Sequence, residues 1–524
     1  MKARNIFSRA ASFFRRGRRQ HHPTVATPHT PERGQTLAGL PPELILSIAA
    51  HLDSRKSLRA TSKQINAILE SVVLETIVVS VAQDSLDHGL AQLEALSRVW
   101  PRRGSTTRKL KIMGLRPGKA ARAHSDKEIH KVKEDLLRWL PLCLASFTRV
   151  HTVELVLHHQ DIPGAWQIVM DWLPTLQHLH TLTLNGLEAS SATLRQLSFG
   201  GLRNLQTLSL SIKWPYASHQ VSGKESLSQN LSRLVLQSPR LSSFDACIQH
   251  TSPHFIALFH KVFLACQKEP TEARANLTSL RVTGYISINP VSLLPFTGLT
   301  TLHLGGLEVG HRDDYPDVPS SNIWDIVRAN KIFLEHISTE LVPGFLDYLR
   351  SYSGLTTLSL TVAKSDIESV ELYEELARHA DSLVSLDVRS SSGVDIPSWG
   401  YGRKETKLLA SCQNLQFLRI PGPASSDALK AFMKSTLAAT LPCMPDLRTL
   451  CIDRCISQGV TDWRHRHQWA EEFSGPYTRR VSLPTIEVFA RDTKETYFPE
   501  LSADKASYRY RLCSELNPTT DTTF

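Results

Sequence analysis

One six-residue pattern, Leu-x-x-Leu-x-Leu, recurs along most of this chain and leaves few folds open to it. Clear copies are "LHTLTL" from Leu179, "LQTLSL" from Leu205, "LTSLRV" from Leu277 and "LTTLHL" from Leu299. "LTTLSL" from Leu355, "LVSLDV" from Leu383, "LQFLRI" from Leu415 and "LRTLCI" from Leu447 continue the series. Looser copies are "VHTVEL" from Val150, "LSSFDA" from Leu241, "LEHIST" from Leu334 and "LPTIEV" from Leu483. The last two apolar positions alternate with their neighbours as a half-buried strand requires. No single copy can bury them, so each unit needs its neighbours.

Neighbouring copies start 21 to 36 residues apart. That is the period of leucine-rich repeats, some of them lengthened. The fold class expected is therefore α/β: a leucine-rich-repeat solenoid, with parallel strands on the concave face and return helices behind. Two return segments read as helices. "SDIESVELYEELARHAD" places Ser365 three residues before Glu368, a capping box, with Ile367, Val370, Tyr373 and Leu376 following at helical spacing. "SSDALKAFMKSTLA" repeats the spacing with Leu429, Phe432, Met433 and Leu437. The Asn or Cys position usual after the strand survives in one unit, as Cys455. Residues between the inward leucines point into the concavity. Thr183, Ser209, Asp245, Arg281, His303, Ser359, Asp387, Arg419 and Cys451 are thus the candidate target-binding face. Their charges are mixed and they include no Phe, Tyr or Trp, which suits a polar protein surface or charged peptide better than nucleic acid.

The net charge of +10 is concentrated in two places. Residues 1–36 carry Lys2, Arg4, Arg9, Arg15, Arg16, Arg18, Arg19 and Arg33 against Glu32 alone. Residues 101–133 are also strongly basic, and the remainder is net acidic. The arm 1–36 reads as a disordered tail, as a nuclear-import or anionic-surface patch, or as a mitochondrial presequence. The basic stretch reads as a solvated insert or as a site for an acidic tail, phosphate or nucleic acid. No run reaches the roughly 18 apolar residues of a membrane helix. Eight scattered cysteines without a signal segment point to free thiols in a reducing compartment, cytoplasmic and/or nuclear.

Residues 40–80 stand apart. "LPPELILSIAAHLD" opens with Pro41 and Pro42, suited to a helix start, and Glu43 in the first turn. Leu40, Leu44, Ile48 and Leu52 form one stripe, which Ile45 and Ala49 widen. A second helical pattern runs Leu58, Ser62, Ile65, Leu69, and "VVLETIVVS" alternates towards a strand. About 40 residues cannot hold a core easily, so the apolar excess needs a partner. That partner is either the repeat array, which such a helix would cap, or another protein.

This stretch resembles the F-box, through Leu40-Pro41, Glu43-Leu44, Ile48, Leu52-Asp53, Leu58, Ser62-Lys63 and Ile65; its ending "LETIVVS" is similar to that of fungal F-box proteins. The spacing from Asp53 to Ser62 is a few residues short of the pattern. The whole chain resembles F-box proteins with leucine-rich repeats. The resemblance implies an all-helical F-box docking through Leu40, Pro41, Glu43, Leu44, Ile45, Ile48 and Leu52 on the Skp-type adaptor of a cullin-RING ubiquitin ligase, the SCF complex. It implies a substrate-recognition subunit, not itself an enzyme, whose repeats hold an unknown target protein near the conjugating machinery. The organisation expected is an arm 1–36, an F-box 37–80, a linker with basic insert 81–133, a solenoid 134–490 and a tail 491–524. A scaffold without ubiquitin transfer and a chromatin- or nucleic-acid-associated solenoid are the alternatives.

No catalytic or metal constellation emerges. Gly114-x-x-x-Gly118-Lys119 is one residue short of a phosphate loop and has Ala120 where Ser or Thr is needed. Cys443, Cys451, Cys455, His465 and His467 lack a C-x-x-C pair. No metal, cofactor or membrane is expected.

Overall fold

The computed structural model describes residues 37, 40–52, 57–58, 60–81, 86–99, 106–116, 126–158, 160–186, 197–213, 224–249, 276–284, 296–305, 323–362, 368–390, 403–422, 444–454, 474–476, 483–490, 493–501 and 507–512. The arm 1–36, Asp53, Ser365, Cys455, the helical segment from Ser425 and the parts 101–105 and 117–125 of the basic insert lie outside them. The chain divides into two compact units, Met1–Val73 and Leu74–Phe524. No helix among the described residues is long and apolar enough to cross a membrane.

In the first unit, helices Pro42–Ala50 and Lys63–Val73 share a small core. Ile45, Ala49, Leu58, Ile65 and Leu69 are buried in it, with Leu37, Leu40, Leu52, Ile68 and Val73 packed around them. The second helix starts at Ser62, whose Oγ accepts the Ile65 N–H at 3.1 Å as an N-cap does.

The second unit is a leucine-rich-repeat solenoid built on one 17-stranded sheet. Its parallel strands are β1 (Thr76–Ser80), β2 (Lys109–Met113), β3 (Thr152–Val156), β4 (Thr181–Asn185), β5 (Thr207–Lys213) and β6 (Ser243–Gln249), then β7 (Ser279–Gly284) and β8 (Thr301–Gly305). They continue through β9 (His336–Glu340), β10 (Thr357–Val362), β11 (Ser385–Ser390), β12 (Phe417–Gly422) and β13 (Thr449–Arg454). From β1 to β13 each strand pairs in parallel with the next in sequence. After β14 (Ser474–Pro476), β15 (Thr485–Ala490) adds in parallel to β13. The direction then reverses: β16 (Thr493–Leu501) and β17 (Ser507–Leu512) run antiparallel, and β14 closes on β17.

The repeat leucines explain this order. Leu182, Leu208, Phe244, Leu280 and Leu302 stand in consecutive register, and so do Leu184, Leu210, Ala246, Val282 and Leu304. Both columns continue inside one core that runs from Val79 to Tyr510. Each strand offers two inward apolar side chains, and burial on the adjacent unit is what stabilises it.

Three expected boundaries move. "LETIVV" is the first rung rather than the end of the helical unit: Leu74 and Val79 are buried, and β1 pairs with β2. The segment 81–133 contains β2, whose Leu110 and Ile112 are buried, so it belongs to the array. The tail 491–524 contributes β16 and β17, with Tyr497 and Tyr510 in the core. The capping box at Ser365 is also revised. The helix there runs Ser369–Leu376 with Glu368 at the N-cap, and no side chain caps it. Ser369 Oγ instead donates to Glu405 Oε1 at 3.0 Å, tying two return helices together.

Candidate functional site

From β2 on, the third residue of each parallel strand lies on the sheet face opposite the core, and the register joins these residues into one line. It runs Lys111, Glu154, Thr183, Ser209, Asp245, Arg281, His303 and Ser338. It continues through Ser359, Asp387, Arg419, Cys451 and Glu487. Every residue expected on the concave face is therefore in this line. Lys111, Glu154, Ser338 and Glu487 belong to it as well. The same middle position of "VHTVEL", "LEHIST" and "LPTIEV" marks three of them. Lys111 is hidden because its unit has Thr107 in place of the first leucine.

Charges in the line are paired across rungs. Lys111 Nζ meets Glu154 Oε1 at 2.7 Å, and Asn185 Nδ2 donates to the same oxygen at 3.0 Å. Ser209 Oγ donates to Asp245 Oδ2 at 3.4 Å, and Arg281 Nε approaches Asp245 Oδ1 at 4.0 Å. The densest part spans β11 to β16. Arg419 forks onto Asp453, Nε to Oδ2 at 2.9 Å and Nη2 to Oδ1 at 2.6 Å, and reaches Asp387 Oδ1 at 3.8 Å. Arg389 donates to both oxygens of Asp387. Lys494 Nζ meets Glu487 Oε1 at 2.6 Å. Cys451 is buried, its Sγ donates to Glu487 Oε2 at 3.5 Å, and burial foremost, then Glu487, pushes its thiol up to about 12. A thiol held neutral is a poor nucleophile. The line thus offers fixed, internally paired polar groups, suited to recognition by shape and hydrogen bonding.

His303 adds a pH response. Burial, and secondarily Arg281, pushes its imidazole down to about 4. An unfolded histidine titrates near about 6.5, so the unfolded chain binds this proton more readily. The contribution to stability is complete above the unfolded value and is lost as pH falls towards about 4. Between pH 7 and pH 4.5, the urea midpoint of the wild type should drop further than that of a His303→Gln variant. Equal drops would show that His303 does not carry the response.

On the first unit, the expected docking residues divide. Ile45 is fully buried in the unit's own core and cannot face a partner. Leu40 and Leu52 are half-buried against that core, and Ile48 is half-buried. Pro41, Glu43 and Leu44 are exposed, Leu44 by 52%. Leu46 is also exposed, at 36%, and the four-residue stripe does not predict it.

No family model matches the chain. No curated protein matches it either. Among solved structures, a chain from the crystal structure of the Rad7 and Elc1 complex in yeast is similar, with a TM-score of 0.38 and 12% identity over 81% of this chain and 90% of that one. A likeness at that level assigns no role to any residue here.

Proposed function

We propose that this chain is the substrate-recognition subunit of an SCF-type ubiquitin ligase, with residues 40–73 as its F-box and the solenoid as its target-binding part. It supplies proximity rather than chemistry, and the bond-making groups belong to other subunits. The observation that carries the reading is the half-exposed Leu44. It stands one turn from exposed Pro41, on a helix whose buried residues already close on Leu58, Ile65 and Leu69. Leu44 with Pro41 and half-buried Leu40 and Ile48 makes a small apolar face that the unit's own core does not use up, which suits docking. Leu40, Pro41, Glu43, Leu44, Ile48 and Leu52 are proposed to meet a Skp-type adaptor. The line from Thr183 to Arg419 is proposed to meet the target.

The test is direct binding of the purified chain to a Skp-type adaptor. Leu44→Asp should weaken binding more than about tenfold, since it puts a charge into an apolar interface. Its circular dichroism should stay unchanged. No binding by folded wild-type chain would remove the ligase reading. Adaptor binding without ubiquitin transfer to captured proteins would leave a scaffold in its place.

A further inference from the structure

We propose that the strand-start edge of β1 to β4 is a pH-gated docking site for an acidic polypeptide segment. It lies on neither the helical unit nor the line of central strand residues, so it stands independently of the ligase reading.

The residue just before each strand is held in a row by the backbone. The Glu75 carbonyl accepts the N–H groups of Arg108 and Lys109, both at 2.9 Å. The Arg108 carbonyl accepts those of His151 and Thr152 at 2.8 and 3.0 Å, and the His151 carbonyl those of His180 and Thr181 at 2.9 and 3.1 Å. The His180 carbonyl accepts from Gln206 and Thr207 in the same way. Glu75, Arg108, His151, His180 and Gln206 therefore occupy successive rungs, each about 4.8 Å from the next.

The side chains follow the backbone. The rings of His151 and His180 lie 5.3 Å apart, centroid to centroid, and His178 enters from the preceding turn to 5.8 Å from His151. Arg108 Nη1 donates to the Arg149 carbonyl at 3.3 Å, and Arg149 itself is exposed. The charged groups around the histidines are thus Arg108 and Lys109 from β2 and its approach, Arg149 before β3, and Glu75 before β1. Arg203 stands exposed in the turn before β5, where Gln206 is neutral. Of these described groups, Glu75 is the carboxylate, beside three imidazoles and several cations.

Imidazoles change charge between about pH 5 and pH 8, so this edge gains positive charge as pH falls. Without a partner, each added proton is opposed by its neighbours. His151 shows the opposition: burial first, then Arg108, His180 and His178, hold it below the ordinary imidazole value. Carboxylates laid along the edge would reverse that repulsion, and linkage then makes their affinity rise as pH falls. A single small anion would meet only two neighbouring rungs. The row continues over several rungs, which favours repeated carboxylates on an extended chain. No Phe, Tyr or Trp stands in the row to stack a base, which favours a peptide over nucleic acid.

The probe is a labelled ten-residue polyglutamate peptide, its binding to the full-length chain read by fluorescence anisotropy at 0.1 M salt. Affinity should be about tenfold higher at pH 6 than at pH 7.5, as expected when imidazoles gain charge. Lysine and arginine keep their charge over this range and give a pH-independent background, and histidines elsewhere, such as His21, His22 and His29, give an increment that is common to wild type and variant. His151→Gln/His178→Gln/His180→Gln should lower the pH increment severalfold while leaving that background. Arg149→Gln, at an exposed position, should lower the pH 6 affinity severalfold without touching the fold. The proposal is overturned if wild type shows no increment, or if the triple variant shows the same increment as wild type. A uridine decamer that shows the same increment, lost on the same substitutions, would overturn it in favour of nucleic acid.

Discussion

Replacing Arg419 with methionine should destabilise the chain by about 3 kcal/mol, because it strands the poorly solvated carboxylate of Asp453 and removes one of two cations from Asp387. The Arg419 side chain is 15% exposed, that of Asp453 16% and that of Asp387 11%. Arg419 forks onto Asp453 and touches Asp387, so methionine keeps most of its length and removes every donor. Asp387 retains Arg389, whereas Asp453 loses the fork. Chemical denaturation measures the loss. A double variant, Arg419→Met/Asp453→Asn, should recover about 2 kcal/mol of it, the coupling expected of direct partners. Additive losses would mean that the fork contributes nothing beyond its separate parts.

Gly89→Ala should destabilise by about 2 kcal/mol, against the sign that helix propensity gives. In an open helix, alanine is favoured over glycine by about 1 kcal/mol. Gly89 is in the helix Leu86–Val99, and a Cβ there would come 2.7 Å from the Val81 carbonyl oxygen and 2.8 Å from Val81 Cα. Both are backbone atoms, at the point where the chain leaves β1, and cannot swing aside as a side-chain tip would. The helix would have to lift from the first rung, where Leu93 and Leu96 enter the core. A thermal midpoint at or above the wild-type value would refute the close approach.

The repeat motif made most of the array legible because each leucine column repeats one physical demand. Wherever "LxxLxL" is intact, the strand starts where the pattern places it and the middle residue joins the line. Legibility failed where another demand filled a position. Thr107 replaces the first leucine of β2 and satisfies its hydroxyl on the Leu74 carbonyl at 3.0 Å, so its unit lost the visible motif. "LETIVV" kept the motif, but its place directly after a helix let it pass for the helical unit's ending. β16 and β17 carry no leucine columns at all, since antiparallel strands are held by their hairpin partners rather than by a repeating neighbour. Of the docking stripe, spacing grouped Ile45 with Leu44. Only packing against Leu58, Ile65 and Leu69 separates the inward residue from the outward one. The histidine edge was illegible because it is assembled from residues just before different strands.

A sheet in which every strand pairs with its successor has no internal reason to end, and a second molecule's first strand could in principle extend it. The reversal at β16 and β17 changes the terms at one end. The strand that closes on β17, β14, runs against the array, so a copy added in the array's own direction would meet it antiparallel, unlike every pairing from β1 to β13. A head-to-tail fibre needs both ends to speak the same pairing pattern. Alternating strand direction over the final rungs denies a copy the pairing that the rest of the array repeats.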